Sequence, residues 1–359
     1  MKNIFITMLI FIFFVGCFEK NENDTIKIGV VLGLSGKYSD LGLNEKNGII
    51  LAFDKINYQI NGKKIELILK DDKQDKEVNK QVINELIEDN VKYIIANATS
   101  SMSKISSEII SKHKDIFQIS PTASSSYFSK KDDNFFRVQT ANSIEHFSNL
   151  IKLLEDSKAK NIYLIGDVNN KAYLYDYLHL FDDKEMKYKE FIDSNLAYED
   201  ILEKVKDADF IVQVQNGIDA AGLIQYLRIN NNTTPIISSG WAKNEEFIEN
   251  VGKWAEGVYF TSSNYINYEN KDYQDFAKDF YSIYKYQSNR SNIQGFQAAN
   301  IIIEALQNGH KKVDDIKKYI IEKETFNIAG DEISFDKYGD IKTPYYIFRV
   351  KNSKFIKIK

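Results

Sequence analysis

The chain alternates between short apolar runs and segments whose apolar residues recur at helical spacing, and this alternation constrains the fold more than any other feature. Residues Ile26–Leu34 (IKIGVVLGL) form a near-continuous apolar run, which is typical of a strand buried on both faces. A helical stripe then follows at Ile49, Ile50, Phe53 and Ile56. Further strand-like runs lie at Lys64–Asp72, Val91–Ala98 and Ile116–Ser120. This strand–helix order predicts a parallel sheet with helices on both faces.

The same order starts again after Phe135–Ser143 (FFRVQTANS). Strand candidates in this second half are Asn161–Val168, Ala208–Gln215, Pro235–Ser239 and Gly257–Ser263. Two long helices are indicated late in the chain, by Tyr273, Phe276, Phe280 and Tyr284, and by Phe296, Ala299, Ile303 and Leu306. A chain of 359 residues suffices for about two domains at ~150 residues each. We therefore expect two α/β lobes.

The N-terminus carries a targeting signal. A basic start, Met1-Lys2-Asn3, precedes an apolar stretch from Ile4 to Gly16 that only Thr7 interrupts. Such a run is too short to span a bilayer comfortably, so residues 1–16 are predicted to be a signal peptide. The following FVGC resembles a bacterial lipobox, with Phe14 where leucine is usual, and predicts lipidation of Cys17. The alternative is an ordinary secretory peptide with an incidental cysteine.

The residues that follow the predicted lipobox are mostly polar. The sequence FEKNENDT predicts a flexible tether over residues 17–25. Cys17 is the only cysteine, which excludes an internal disulfide and a cysteine-based zinc cluster. We expect a mature protein at the periplasm or cell surface, held to a membrane by acyl chains.

Composition and motifs exclude several function classes. The chain has 47 basic and 51 acidic residues and no strong basic stripe, so nucleic acid is not an expected partner. None of the four histidines belongs to an HExxH pattern, and neither a GxSxG elbow nor a P-loop occurs. The pair Asp71-Asp72 is flanked by Lys70 and Lys73, which favours a solvated strand end. We therefore predict no metal site, no cofactor and no enzymatic activity.

A run of small hydroxyl residues, Thr99, Ser100, Ser101 and Ser103, follows the strand-like segment Val91–Ala98. Open parallel sheets bind ligands at the carboxyl ends of their strands. The first N–H groups of the next helix are unpaired there, and serine hydroxyls beside them complete a cradle for an anion such as a carboxylate. The alternative is simple N-capping by Thr99 or Ser100 without a ligand.

A second hydroxyl cluster, Ser120–Ser126 (SPTASSS), follows the next strand. Because the ends of adjacent parallel strands meet at one edge of a sheet, the two clusters are expected to converge on one cleft. The alternative is a serine-rich surface loop.

The order of several motifs resembles type I periplasmic binding proteins of the leucine/isoleucine/valine-binding kind. The resemblance covers Ile26–Lys359, and no single motif in it is specific. The motifs are IKIGVVLGLSGKYSDLG, NGIILAFDKIN, LILKDDKQD, VKYIIANATSSMS, ISPTASS, FFRVQTAN, NIYLIGD, WAEGVYF and ISFDKYGD.

The resemblance implies a fold of two Rossmann-like lobes joined by three crossing strands. The crossings are expected near Thr140, Ser263 and Ser334. Residues 26–140 and 264–333 would then form the first lobe, and residues 141–263 and 334–359 the second. Proteins of this family are solute receptors of ABC transporters, so the expected partners are permease subunits, and a monomer is expected.

The resemblance also implies site residues. Ser100 matches the serine that holds an amino-acid carboxylate, with Ser101 beside it. Thr122, Ala123 and Ser124 match the contacts of the second loop, with Ser124 as the expected ammonium acceptor.

Three further positions depart from the family pattern. Leu41 stands where an aromatic residue usually packs on the ligand. In the second lobe, Lys171 falls on a tyrosine position with Tyr173 close by, and Asn216 falls on another.

The largest departure lies at Gly240, where amino-acid binders often carry an acidic residue that pairs with the ligand ammonium. Here the sequence reads SSGWA, and Trp241 offers a face for cation–π or apolar contact. The alternative for Trp241 is packing within its lobe. An amino acid is the expected ligand, and amides, urea-like solutes and small carboxylates are alternatives.

These features together predict an extracytoplasmic protein that delivers a small solute, most simply an amino acid, to an ABC importer. Solute bound to one lobe gains contacts from the other only when the cleft shuts, so it stabilises the closed state. The alternative function is a surface-anchored sensor of the same fold, which signals to a partner instead of feeding a permease. An enzyme is a third possibility, which a lack of any base beside the serines disfavours.

Overall fold

A computed structural model describes residues 25–143, 146–182 and 187–359. The predicted signal peptide, Cys17 and all of the tether except Thr25 lie outside the described residues. The strands are β1 Thr25–Leu32, β2 Gln59–Ile60, β3 Lys63–Asp71, β4 Tyr93–Ala96, β5 Phe117–Ser120, β6 Phe135–Arg137, β7 Ile162–Gly166, β8 Tyr188–Asp193, β9 Phe210–Val214, β10 Ile236–Ser239, β11 Tyr259–Ser262, β12 Phe326–Ile328, β13 Asp331–Ile333, β14 Tyr346–Lys351 and β15 Lys354–Lys357.

Helices connect most of these strands. They are α1 Ser39–Asp54, α2 Lys76–Glu88, α3 Ser100–Ile110, α4 Ser148–Ser157, α5 Lys171–Leu178, α6 Tyr198–Lys204, α7 Gly217–Ile229, α8 Glu245–Val251, α9 Lys271–Tyr284, α10 Arg290–Gln307 and α11 Val313–Glu322. The predicted alternation of strands and helices is therefore confirmed in both halves of the chain.

The strands form two large sheets and a third of only two antiparallel strands, β12 and β13. The first sheet has the order β2-β3-β1-β4-β5-β6, and all of its pairs except β2–β3 are parallel. The second has the order β15-β14-β11-β10-β9-β7-β8, with antiparallel pairing only at β14 and β15. Every residue of β4, β5, β7 and β9 is buried, as expected for strands covered by helices on both faces.

Each large sheet belongs to its own hydrophobic core. The core of the first sheet also contains residues of α9, α10 and α11, such as Phe280, Ile302 and Ile316, although these helices follow the second sheet in sequence. The chain therefore passes between the lobes three times: between β6 and α4, between β11 and α9, and between β13 and β14. The lobe boundaries near Thr140, Ser263 and Ser334 stay predictions.

Hydrogen bonds tie the three crossing segments to one another. Gln139 donates through Nε2 to Oγ of Ser263 at 3.0 Å, which links the first and second crossings. Thr343 in the third crossing donates its backbone N–H to Oγ1 of Thr140 in the first, at 3.2 Å. Gln294 of α10 also donates to Gln139. The hinge between the lobes therefore consists of crossing segments that are joined to one another by hydrogen bonds.

Two glycines let α1 and α10 approach closely beside the hinge. A Cβ on Gly48 would lie 1.9 Å from the carbonyl oxygen of Asn292, and one on Gly295 would lie 2.2 Å from that of Glu45. Larger residues would force the helices apart. This contact fixes the N-terminal ends of α1 and α10, and both ends face the cleft between the lobes.

One prediction about a strand end is wrong. Asp72 is fully buried, whereas the flanking lysines had indicated a solvated pair. Its carboxylate accepts hydrogen bonds from the backbone N–H of Gln74 at 2.8 Å and from Nδ2 of Asn97 at 2.8 Å. Asp72 therefore belongs to the polar support beneath the end of β4, while Asp71 alone keeps partial exposure.

Candidate functional site

A cavity of about 860 Å³ lies between the two lobes at the carboxyl ends of β4, β5, β10 and β11. Its volume falls within the range of small-molecule sites. Six residues that the sequence indicated line it: Leu41, Ser100, Thr122, Ser124, Tyr173 and Trp241. The two hydroxyl clusters therefore do converge on one cleft.

Three other predicted residues are not on the cavity wall. Ser101 faces the second lobe, where its Oγ accepts the backbone N–H of Ala172 at 3.1 Å. Ala123 is fully buried within the second hydroxyl cluster, Ser120–Ser126. Asn216 is the N-cap of α7, because its Oδ1 accepts the N–H of Asp219 at 3.0 Å. Ser101 and Asn216 thus have hydrogen-bond partners within the protein, and their contact with a solute stays a prediction.

The floor of the cavity in the first lobe consists of hydroxyl groups and backbone N–H groups. Thr99 is the N-cap of α3 and also lines the cavity. Ser100 does something different, because its Oγ accepts the backbone N–H groups of Ser124 and Ser125, each at 3.2 Å. The two hydroxyl clusters are therefore joined directly, and Ser100 orients the loop that carries Ser124.

Thr122 is supported from below by a buried acid that the sequence did not indicate. Its Oγ1 lies 2.5 Å from Oε1 of Glu45 and 2.5 Å from the carbonyl oxygen of Ala98. Glu45 is fully buried, and its Oε2 has no hydrogen-bond partner among the described residues. Burial raises the pKa of Glu45 to about 8, so this carboxyl is neutral at pH 7.

The loop that carries Thr122 and Ser124 is also held by a buried arginine. Arg137 is fully buried, donates through Nη1 to the carbonyl oxygen of Ser125 at 2.6 Å, and pairs through Nε with Oδ1 of Asp340 at 2.7 Å. Its Nη2 donates to Oγ of Ser129 at 2.8 Å. The buried pair fixes the backbone of the second hydroxyl loop.

Aromatic rings form the side of the cavity that belongs to the second lobe. Trp241 packs against Tyr173 with ring centroids 5.8 Å apart and against Tyr38 of the first lobe at 5.2 Å. Trp241 therefore both packs within its surroundings and lines the cavity. Tyr173 is buried, which raises the pKa of its hydroxyl and keeps it neutral.

Gly240 lies close to β11. A Cβ at this position would lie 3.0 Å from Oγ of Ser262 and 3.1 Å from the carbonyl oxygen of Thr261. A side chain at Gly240 would therefore require its neighbours in β11 to shift by a few tenths of an ångström.

Four acidic residues that the sequence did not indicate line the cavity: Asp40, Glu245, Glu246 and Glu269. Glu245 and Glu269 are exposed, whereas Asp40 at the start of α1 and Glu246 in α8 are partly buried and approach from opposite lobes. Burial raises the pKa of both partly buried carboxyl groups. The charge of Asp219 further raises the pKa of Asp40, and the charge of Asp40 further raises that of Glu246. Oε2 of Glu246 is buried without a partner among the described residues. Asp40 stands in the motif IKIGVVLGLSGKYSDLG but was not recognised as a site residue, and Glu246 stands in none of the quoted motifs.

Contacts between the lobes close the cleft around the cavity. Ser126 of the first lobe donates its backbone N–H to Oδ2 of Asp176 in the second at 3.0 Å. Ser101 donates its N–H to Oδ1 of Asn170 at 3.1 Å. Burial raises the pKa of Asp176 to about 6. The structure is therefore that of a closed cleft.

Among residues 25–143, 146–182 and 187–359, no group of three or more His, Cys, Asp or Glu side chains is placed to hold a metal ion. Within the same ranges, no helix is both long enough and apolar enough to cross a bilayer.

Two α/β lobes, three crossing segments and a closed cleft with a polar floor define a class of proteins that bind a small solute between two lobes. Residues 25–354 match the family model described as periplasmic binding protein. The chain belongs to this family, and the resemblance seen in its motifs is confirmed.

Three comparisons illustrate the match. The chain is 23% identical over 346 residues to Leu/Ile/Val-binding protein homolog 1 of Brucella suis biovar 1, with 90% of this chain and 89% of that protein covered. The crystal structure of leucine-binding protein LivK from Thermotoga maritima gives a TM-score of 0.82 at 20% identity, covering 93% of this chain and 98% of that one. An ABC-transporter solute-binding protein from R. palustris in complex with benzoate gives 0.82 at 16% identity, covering 93% and 95%. The predicted fold is thereby confirmed.

Proposed function

We propose that this protein binds an amino acid outside the cytoplasm and delivers it to an ABC importer. The observation that carries the proposal is the cavity itself, in which a hydroxyl and N–H floor from the first lobe faces aromatic rings from the second. The names of the relatives, a Leu/Ile/Val-binding protein and a leucine-binding protein, support the same ligand class.

The floor suits a carboxylate. Ser100 lies at the start of α3, where the first N–H groups of the helix carry partial positive charge. Ser124 lines the cavity next to it and supplies a second hydroxyl. A carboxylate that binds here needs no arginine, because hydroxyl and N–H donors together satisfy its oxygens.

The ammonium group of the solute has acceptors despite the glycine at position 240. Asp40 and Glu246 line the cavity from opposite lobes and form no ion pair with the described residues. An ammonium between them would offset their mutual repulsion, which is greatest when the cleft is closed. The solute then stabilises the closed state through its charge as well as its shape.

Closure would be the signal that a partner reads. The closed form presents surfaces of both lobes in one arrangement, and ABC permease subunits are the proposed partners. We propose that the protein works as a monomer, without catalysis, and is tethered to a membrane through lipidated Cys17. The alternative to import is sensing, in which the same closed form contacts a signalling partner.

A thermal-shift panel of amino acids, amides, ureas and small carboxylates tests the ligand class. A solute present at a hundredfold above its Kd adds about 2.7 kcal/mol to the free energy of unfolding, which is readily measured as a rise in Tm. We expect α-amino acids to raise Tm and their deaminated analogues to do so less. Equal shifts from 4-methylpentanoate and leucine would contradict the role of Asp40 and Glu246.

A second ligand class has one supporting observation. The R. palustris relative of the same fold was solved with benzoate, an aromatic carboxylate without an ammonium group. Trp241 and Tyr173 offer aromatic surface beside the carboxylate floor here. Benzoates therefore belong in the same panel, and a larger shift from benzoate than from any amino acid would favour this class.

A further inference from the structure

Four basic residues that the proposed amino-acid contacts do not use line the cavity: Lys243, Arg290, Lys354 and Lys357. Lys354 and Lys357 are exposed to solvent, whereas Lys243 and Arg290 are partly buried. Lys243 follows β10 in the second lobe, and Arg290 is the first residue of α10. Helix α10 packs against α1, so Arg290 belongs to the first lobe. The two cations therefore approach the cavity from opposite lobes.

Lys243 lacks an acidic partner. Its Nζ donates to the carbonyl oxygen of Asn264 at 2.8 Å and lies 4.3 Å and 5.1 Å from the ring centroids of Phe348 and Phe355. It takes part in none of the ion pairs formed by the described residues. An ammonium has three N–H donors, so one carbonyl leaves hydrogen-bonding capacity directed at the cavity.

The surroundings of Lys243 disfavour its charge. Burial, together with the charge of nearby Arg290, lowers the pKa of Lys243 to about 8, and the exposed Glu245 opposes this only weakly. Cation–π contact with two phenylalanine rings compensates only partly for lost hydration. A negatively charged group beside Nζ would stabilise the charged form.

Arg290 is also incompletely satisfied. Its Nη1 pairs with Oδ2 of Asp331, but its buried Nε has no hydrogen-bond partner among the described residues. The arginine side chain is only 15% exposed, so water does not replace that partner freely. Buried donors in folded proteins are normally paired, so a residue that lines the cavity keeps a donor for an acceptor from outside the described residues.

We infer that Lys243 and Arg290 form a second anion subsite, which takes a distal carboxylate of the bound solute. The inference rests on the proposed function for the α-carboxylate and α-ammonium contacts, and it narrows the solute to a dicarboxylic amino acid or a related linear diacid. The cavity of about 860 Å³ lies toward the upper end of the range for small-molecule sites, which accommodates a solute longer than leucine.

The subsite also gives a reason for closure to depend on the solute. Two cations from opposite lobes repel each other when the cleft shuts, and a carboxylate between them replaces that repulsion with attraction to both. Because this gain exists only in the closed form, it acts as a differential affinity for that form. Neutral amino acids would lack it.

The competing explanation is that Lys243 only fastens the second crossing segment to the second lobe through Asn264. Matched pairs of solutes separate the two explanations, because a fastening lysine affects all solutes alike. The pairs are glutamate with norvaline, 2-aminoadipate with norleucine, and 2-aminopimelate with 2-aminoheptanoate. Each pair has the same carbon count and differs in the distal carboxylate.

Calorimetry on the full-length protein in detergent gives the test. We expect at least one diacid to bind about tenfold or more tightly than its neutral partner. Lys243→Gln should remove that advantage and change the affinity for the neutral partner less than about twofold, and Lys243→Arg should restore most of it. Lys253→Gln is the matched control, since Lys253 lies over the ring of Trp254 and does not line the cavity.

The outcomes separate the subsite from the proposed function. Adipate, a linear diacid without an ammonium group, is measured as well. If adipate binds to the wild type but not to Lys243→Gln, and no amino acid binds, the subsite is supported and the amino-acid assignment is overturned. Binding of neutral amino acids with no advantage for any diacid would support the assignment and overturn the subsite. Equal weakening of both members of a pair by Lys243→Gln, or no Lys243-dependent binding of any diacid, would also overturn it.

Discussion

Lys37 of the first lobe places its Nζ 3.1 Å from Oδ2 of Asp167 in the second lobe, and the Asp167 carboxylate is fully buried. Tyr38 donates its hydroxyl to the same oxygen, and Lys37 also reaches Oδ2 of Asp219 at 2.9 Å. Asn216, the N-cap of α7, donates to Asp219 from within the second lobe. The contacts of Lys37 and Tyr38 with Asp167 and Asp219 join the two lobes, so they belong to the closed state of the protein.

Asp167→Asn should therefore weaken solute binding although Asp167 does not line the cavity. The amide keeps one acceptor oxygen but loses the charge that Lys37 and Tyr38 meet, at a cost of about 1.5–3 kcal/mol to the closed state. Calorimetry with any solute that raises Tm measures the loss. Lys206→Gln removes an exposed pair with Glu203 and should leave affinity unchanged. Unchanged affinity in Asp167→Asn would show that closure does not depend on this contact.

Ser100→Ala should weaken solute binding by roughly 1.5–3 kcal/mol, as expected for loss of one hydrogen bond to a charged group. The structure adds a folding cost, because the backbone N–H groups of Ser124 and Ser125 lose their shared acceptor. We therefore expect a lower Tm without solute together with lower affinity. Ser111→Ala, on the exposed end of the same helix, is the control. A lower Tm with wild-type affinity would leave Ser100 a purely structural role.

The sequence sufficed for the parts of the fold that rest on local apolar patterns. Strands buried on both faces, such as β4 and β7, are continuous apolar runs and were recognisable at once. The edge strand β8 and the hairpin of β14 and β15 were missed, because their exposed faces carry polar residues that weaken the pattern.

The residues of the candidate site were likewise predictable only in part. Ser100, Thr122 and Ser124 were predictable because a hydroxyl directly after a parallel strand must lie at the edge where the cleft forms. Their partners were not predictable, because Glu45 is 77 residues from Thr122 and Asp340 is 203 residues from Arg137. Such pairs exist only after the helices have packed, and a single sequence contains no pattern for them.

Arg137→Met should destabilise the protein by about 3–5 kcal/mol, because it leaves Asp340 buried without its partner. Denaturant unfolding followed by circular dichroism measures the change. Arg137→Lys should be destabilising as well, since one ammonium cannot serve Asp340, Ser125 and Ser129 together. The double variant Arg137→Met with Asp340→Leu should recover part of the loss. Wild-type stability in Arg137→Met would contradict a bracing role for this arginine.

Cys17→Ser should release the protein from the membrane. Two or three acyl chains anchor a protein stably, whereas the polar tether has no membrane affinity of its own. Cells that express the variant are fractionated, and the protein is followed in the membrane pellet and the soluble fraction. Ser35→Ala, an exposed serine of the first lobe, serves as the control and should stay with the pellet. A serine variant at position 17 that remains in the pellet would contradict the lipobox interpretation.

Glu45→Gln tests the buried carboxyl under the cavity floor through the pH dependence of stability. The pKa of Glu45 lies at about 8 in the folded protein, against an ordinary value of 4.5. Between these values the folded state holds a proton that the unfolded state releases. The contribution of Glu45 to stability is therefore fully present below pH 4.5 and is lost as pH rises through 8.

Glutamine mimics the neutral carboxyl and cannot ionise, and its Oε1 can still accept the hydroxyl of Thr122. The Tm of Glu45→Gln, measured relative to the wild type, should therefore rise as pH is raised from 5 to 9. The corresponding change in the difference between their free energies of unfolding should not exceed about 5 kcal/mol. Melting curves of both proteins across this range give the difference directly. Glu88→Gln, on the exposed end of α2, is the control and should show the same pH dependence of Tm as the wild type. If Glu45→Gln and the wild type had the same pH dependence of Tm, Glu45 would be ionised in the folded protein, and a cation or water would have to stabilise its charge.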